Sequence, residues 1–233
     1  MQKLPDHGAN IDARFRDGRT ALMWAITGTD SEAVRLLINK GANINVKDRS
    51  GNTPLSLAAM TGHTSICRYL LEKGVSVHES GHGCGPLSEA ARNGHLEVCR
   101  LLIDYQVPVE GNENSNSPLF PAARIGRLDV CKFLLDNGAQ VDHNQNEKSP
   151  LAKAAMEGHL EICRFLLTRK ALVNGLPHQV SPLVCSATMG NVEVCQLLLD
   201  NGAKIDAPVY IWSYDVLKLA LSAGAVSEEW LEW

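Results

Sequence analysis

The sequence predicts an all-α repeat protein, in which helix-turn-helix units stack one on another and are joined by β-hairpin-like fingers. Three observations carry this. The first is a fixed period. A small residue, Pro and Leu recur as Thr53-Pro54-Leu55, Gly85-Pro86-Leu87, Ser117-Pro118-Leu119, Ser149-Pro150-Leu151 and Ser181-Pro182-Leu183, with Thr20-Ala21-Leu22 as an altered first copy. The leucines are 33 residues apart once and 32 apart four times, and self-similarity at such a period marks a stacked repeat. The second is a phased alanine pair (Ala58-Ala59, Ala90-Ala91, Ala122-Ala123, Ala154-Ala155) followed by Gly62, Gly94, Gly126, Gly158 and Gly190. The third is a pair of leucines closing the next helix, at Leu36-Leu37, Leu70-Leu71, Leu134-Leu135 and Leu166-Leu167.

Each element has a physical reason. Proline is tolerated at the first helical position because that N–H has no helical partner. The hydroxyl before it, in Thr53, Ser117, Ser149 and Ser181, can cap the helix. The alanine pair lets two helices approach closely. The glycine ends the first helix in the left-handed conformation that residues with a Cβ avoid. One such unit cannot bury its apolar face alone, so neighbours must stack.

The motifs Thr53-Pro54-Leu55-Ser56-Leu57-Ala58-Ala59, Gly94-His95-Leu96-Glu97-Val98, and Leu36-Leu37 with Gly41-Ala42-Asn43-Ile44-Asn45 closely resemble the ankyrin repeat family. The resemblance implies an ankyrin solenoid forming a single domain over residues 1–233: a partial repeat at 1–12, six repeats over 13–206, and a degenerate C-terminal cap at 207–233. It also implies a binding scaffold rather than any one partner, because one fold hosts many functions. The chain departs from the family in several places. The family's His after Pro-Leu is replaced by Met23, Ser56, Ser88, Phe120, Ala152 and Val184, which removes a partner of the capping hydroxyl. Gln106 and Lys170 stand where a glycine should follow the second helix, and a positive φ there would strain the third and fifth repeats. Pro121 falls in the first turn of its helix and is expected to distort it slightly. From the third repeat on, the segment between helix pairs is one residue shorter, so altered finger tips are expected.

Net charge is −4 with both signs mixed, which gives no reason to expect nucleic-acid or membrane binding. No apolar run reaches membrane-spanning length. Cys67, Cys99, Cys131, Cys163 and Cys195 recur every 32 residues at a core-facing position that Val34 fills in the first unit. Adjacent repeats about 8–10 Å apart are too far for disulfides, which need Cα atoms within about 7 Å. So many unpaired thiols indicate a reducing, cytoplasmic compartment.

Candidate contacts are read in chain order. The first two fingers are basic, with Arg14, Arg16, Arg19, Lys47 and Arg49 against Asp17 and Asp48, a patch that would attract an acidic partner. Trp24 occupies a slot filled elsewhere by Leu57, Glu89, Pro121, Lys153 and Cys185, a variety that predicts partial opening to the concave side. The ends of the first helices vary at fixed phase: Met60-Thr61, Arg92-Asn93, Arg124-Ile125, Met156-Glu157 and Thr188-Met189. Arg92, Arg124 and Met156 are the contact candidates there, with His178 in a finger. Tyr210 and Trp212 stand in the apolar segment after Asp206, where an aromatic hot spot or a cap are both open. His63, His95 and His159 read as hydrogen-bonding residues at helix entries. Glu97, Asp129 and Glu161 stand three residues before Arg100, Lys132 and Arg164, as surface ion pairs would.

No metal site is expected. His78, His82 and Cys84 lack a fourth ligand, and the glycines around them do not form a nucleotide loop. No cofactor and no catalytic constellation is expected either, so the chain reads as non-catalytic. The expected function is recognition of a partner protein by a monomeric module, through the concave inner-helix and finger surface, as an inhibitor or immunity-type protein. The alternatives are a targeting segment of a longer adaptor or bacterial effector, and a small-ligand (nucleotide) sensor built around Trp24, Arg16 and Arg49.

Overall fold

The computed structural model describes residues 10–77, 85–110, 117–142, 149–176, 179–205, 216, 218 and 219. It falls into two compact units, Met1–Ser115 and Asn116–Trp233. The first contains α1 (Ala21–Thr27), α2 (Ser31–Asn39), α3 (Pro54–Thr61), α4 (Thr64–Glu72), α5 (Pro86–Asn93) and α6 (Leu96–Asp104). The second contains α7 (Leu119–Ile125), α8 (Leu128–Asp136), α9 (Pro150–Met156), α10 (Leu160–Thr168), α11 (Pro182–Thr188) and α12 (Val192–Asp200). In the first unit α1, α3 and α5 pack as an inner row and α2, α4 and α6 as an outer row. In the second, α7, α9 and α11 form the inner row and α8, α10 and α12 the outer. Among the described residues there is no strand, and no helix is long and apolar enough to cross a membrane.

The repeat's apolar positions become the core. Leu22, Leu55, Leu87, Leu119, Leu151 and Leu183 are buried, as are the alanine pairs behind them. Cys67, Cys99, Cys131, Cys163 and Cys195 are all buried and unpaired. Burial pushes the first four thiols up to about 12, and raises Cys195 despite its 3.1 Å hydrogen bond with Ser186. A thiol with a pKa near 12 holds about one thiolate in ten thousand molecules at pH 8, so these residues act as small apolar groups and not as nucleophiles.

Helix starts follow the expected chemistry with one correction. Thr53 Oγ1 accepts from Ser56 N–H at 3.1 Å while Ser56 Oγ accepts from Thr53 N–H at 2.9 Å, so Ser56 replaces the family's histidine with a capping box of its own. Ser149 and Ser181 cap α9 and α11. Ser117 was expected to cap as well, but its buried hydroxyl makes no hydrogen bond. The reason is Pro121, which has no N–H to give the Ser117 carbonyl. Phe120 N–H donates to that carbonyl instead, at 3.0 Å, and Pro118 becomes the cap residue, so α7 starts one residue late.

Two devices tie consecutive repeats together. At helix entries, His95 Nε2 donates to Met60 O (3.1 Å), His159 Nε2 to Arg124 O (3.0 Å) and Asn191 Nδ2 to Met156 O (2.9 Å). Each takes up a carbonyl at the end of the preceding inner helix that the helix itself leaves unpaired. At four fingers, the acidic or amide residue ending the Gly-Ala-type segment accepts a backbone N–H from the next repeat. Asp12 accepts from Asn43, Asn45 from Ser76, Asp142 from Leu172 and Asn174 from Lys204, at 2.8–3.0 Å.

Gln106 and Lys170 do take the glycine conformation, with φ of 62° and 67°. Thr29, with φ 64°, does the same at the phase where Gly62 ends the next inner helix. A side chain in this region costs about 1 kcal/mol or somewhat more. Gln106→Gly and Lys170→Gly are therefore expected to stabilise the fold by about 1 kcal/mol each, raising the melting temperature by a few degrees for a chain of this size. Thermal melts of the single and double variants check this, and an unchanged midpoint would show that the strain is relieved elsewhere.

The surface pairs appear at Glu97–Arg100 (3.5 Å) and Glu161–Arg164 (3.8 Å), while Asp129 and Lys132 form none. Val216, Lys218 and Leu219 are helical, with Val216 buried, within the segment expected to form the C-terminal cap. The altered finger tips and the remainder of the expected cap lie outside the described residues.

Candidate functional site

The inner-helix ends and the first fingers are built by the repeat itself. Alanine pairs fix the helix backs in the core, and the residues directly after them emerge at the helix ends. Arg92 closes α5 and is exposed. Arg124 closes α7, is about half exposed, and its Nε lies 3.8 Å from Glu157 Oε1, the residue that ends α9. Met156 is half-buried in the last turn of α9, with Lys153 Nζ 3.8 Å from its sulfur. The carbonyls of Arg124 and Met156 are the ones held by His159 and Asn191. The scaffold's ties thus fix the backbone from which the variable side chains project.

The first fingers form a second cluster, in the first unit. Gly18 N–H donates to Phe15 O and Gly51 N–H to Asp48 O, closing two turns whose second residues are Arg16 and Arg49. Arg49 N–H donates to Asp17 O at 3.0 Å, and Arg14 reaches Lys47 O at 2.7 Å, so the two fingers are joined through backbone groups. Arg19 pairs with buried Asp48 at 3.5 Å and lies over the Trp24 ring, 5.2 Å from its centroid. The Trp24 ring meets Phe15 edge to face at 6.2 Å.

The Trp24 slot is open in some repeats and closed in others. Trp24 is 47% exposed and Pro121 and Lys153 are half-buried, whereas Leu57, Glu89 and Cys185 at the same phase are buried. Arg16, Trp24 and Arg49 are therefore brought together, Arg92 stands separately in the first unit, and Arg124 and Met156 share one surface of the second. His178, Tyr210 and Trp212 lie outside the described residues. No group of three or more metal-ligating side chains occurs among the described residues.

A family model for ankyrin repeats matches three times, over residues 1–81, 76–145 and 141–208. The chain belongs to the ankyrin repeat family. Among solved structures it is similar to the human ASB11 ankyrin repeat domain, at 25% identity and a TM-score of 0.78, covering 88% of this chain and 98% of that one. A comparison with curated protein sequences finds no match. Ankyrin repeats are generally protein–protein interaction modules on a typically non-catalytic scaffold.

Within the ankyrin frame, the sequence-based contact candidates leave out three exposed apolar residues. Ile125 (41%) and Met189 (56%) sit just before the helix-ending glycines, at the phase of Thr61, Asn93 and Glu157. The signal was present there: an apolar side chain at a phase that ankyrin units otherwise give to polar residues. Phe15, 59% exposed, carried no such signal, because only the folded finger sets it against Trp24.

Proposed function

We propose that this ankyrin chain recognises a partner protein through its inner-helix ends and fingers, and acts by covering the partner's surface, as an inhibitor of it. The carrying observation is variation at fixed phase. Met60, Arg92, Arg124, Met156 and Thr188 occupy one repeat position, while the alanines two and one residues before it, where the pair is kept, are fully buried and unvaried. Within each unit, a scaffold held constant beneath the changing positions presents their side chains in fixed register, which limits the ordering entropy lost on binding. Arginine and methionine are among the residues enriched in interface cores. The reading as a targeting segment uses the same surface and differs in one respect, whether the bound partner keeps its activity.

The test is affinity capture from the source lysate, with the wild type beside a variant carrying Arg92→Ala, Arg124→Ala and Met156→Ala, both shown to be folded by circular dichroism. A protein held by the wild type and lost by the variant, whose activity falls when the wild type is added, is the expected result. Retained activity in the complex would replace inhibition by targeting. Equal recovery by both proteins would move recognition off the inner-helix ends.

A further inference from the structure

The first two fingers carry charge and apolar surface that the fold itself does not use. Phe15 and Trp24 are the most exposed aromatic side chains among the described residues, at 59% and 47%. Arg19 is committed within the fingers, to Asp48, Asp17 and the Trp24 ring, and so fixes the indole in place. Arg16 and Arg49 are different. Both are exposed, both take the second position of a closed turn, and neither guanidinium has an ion-pair partner among the described residues. They are 33 residues apart, one repeat, on fingers locked together by the Arg49 N–H to Asp17 O bond. A Cβ on Gly18 would stand 2.9 Å from Arg49 N, so only glycine lets the two fingers approach this closely. The rest of the chain is acidic enough to give a net charge of −4, which makes this corner a local exception.

We infer that this corner binds an extended acidic segment of the partner protein, with two carboxylates on Arg16 and Arg49 and an apolar side chain against Phe15 and Trp24. The inference rests on the protein-recognition reading above and specifies the partner's chemistry. Arginine takes a carboxylate through two parallel N–H donors, which gives geometry as well as attraction. Repeats stack at roughly 8–10 Å. An extended segment in the polyproline II conformation has three residues per turn and rises about 3.1 Å per residue, so carboxylates three residues apart lie on one face, about 9 Å apart, and match neighbouring finger tips. Exposed aromatic faces beside them offer desolvated contact to an aliphatic or aromatic side chain, where hot spots concentrate. A nucleic-acid strand fits less well. It would need a continuous basic stripe, whereas here two exposed arginines stand on an acidic chain.

The experiment is panning of a random dodecapeptide display library on the whole protein. Affinities of an enriched, fluorescently labelled peptide are then measured by anisotropy for the wild type, for Arg16→Glu with Arg49→Glu, for Trp24→Ser and for Trp24→Phe. The expected result is enrichment of Asp or Glu at a spacing of three beside an apolar residue. Binding should weaken at least tenfold in the charge-reversed variant and in Trp24→Ser, survive in Trp24→Phe, and fall between 0.05 and 0.3 M salt. Enrichment of peptides with no acidic bias, or equal binding by the charge-reversed protein, would overturn the inference. So would a library that yields no binder, or a labelled single-stranded DNA oligonucleotide that displaces the acidic peptide at lower concentration. The Arg92, Arg124 and Met156 variant separates the two readings. If it loses the captured partner but keeps the acidic peptide, both stand; if the wild type captures a partner while the peptide arm fails, only the corner assignment falls.

Discussion

Gly62→Val is expected to destabilise the protein by about 3 kcal/mol, more than most single substitutions outside the apolar core. Two costs combine. Gly62 has φ 77°, where a β-branched residue is strained by about 1–2 kcal/mol. A Cβ there would also stand 2.6 Å from the His95 ring, which must then move and give up its bond to Met60 O, worth about 1 kcal/mol. Gly190 supplies the internal control. It has φ 73° but no described atom within 4 Å of a built Cβ, so Gly190→Ala should cost only the conformational part, about 1 kcal/mol. Urea melts of Gly62→Ala in the wild type and in a His95→Ala background isolate the coupling. Gly62→Ala should cost less once the ring is gone, and equal costs would show that the histidine does not constrain the glycine.

Asp48→Ala is expected to cost a similar amount, about 3 kcal/mol, although Asp48 is a finger residue. Its carboxylate accepts from Ser50 N–H, Asn52 N–H and Asn52 Nδ2–H, each at 2.9 Å, and pairs with Arg19. Truncation leaves two backbone donors and a guanidinium without these partners and loosens Arg19 from Trp24. The same contacts fix the pH dependence. Burial alone would raise the Asp48 pKa, but the hydrogen bonds from Asn52 and Ser50, with Arg19 behind them, outweigh it and hold the group below its ordinary 3.8. A depressed folded pKa gives stability that is present above the unfolded value and lost as pH falls through the folded one. The difference between wild type and Asp48→Ala, measured by urea unfolding, should be constant from pH 7 to about 5 and narrow below about 4. A difference that stays flat to pH 3 would show that the carboxylate's charge is not what matters.

The inner and outer helices were legible in the sequence because each rests on local chemistry repeated in phase. Proline at the start, alanine against a neighbour, and glycine at a left-handed end each have one physical use, and four or five copies of each in phase make it unambiguous. The strain at Gln106 and Lys170 was legible for the same reason, as a break in a pattern. The shift of α7 was half legible: Pro121 announced a distortion, but its displacement of Ser117 from capping depended on where Phe120 N–H turned. The finger ties made by Asp12, Asn45, Asp142 and Asn174 were not read, because an Asx residue beside a turn has several local partners and the periodic spacing alone does not choose among them. The candidate site divides similarly. Arg16, Trp24 and Arg49 were found by residue type, but that Arg19 is spent on Asp48 and Trp24, leaving Arg16 and Arg49 to face outward, is decided by folded contacts.

The most direct test of recognition through the inner-helix ends and fingers is hydrogen exchange of the chain, free and in complex with its captured partner. Slower exchange at the inner-helix ends (residues 60–61, 92–93, 124–125, 156–157 and 188–189) and at the turns around Arg16 and Arg49, with α2, α4, α6, α8, α10 and α12 unchanged, is the expected result. Protection confined to those outer helices would contradict the account and place the partner on the opposite face.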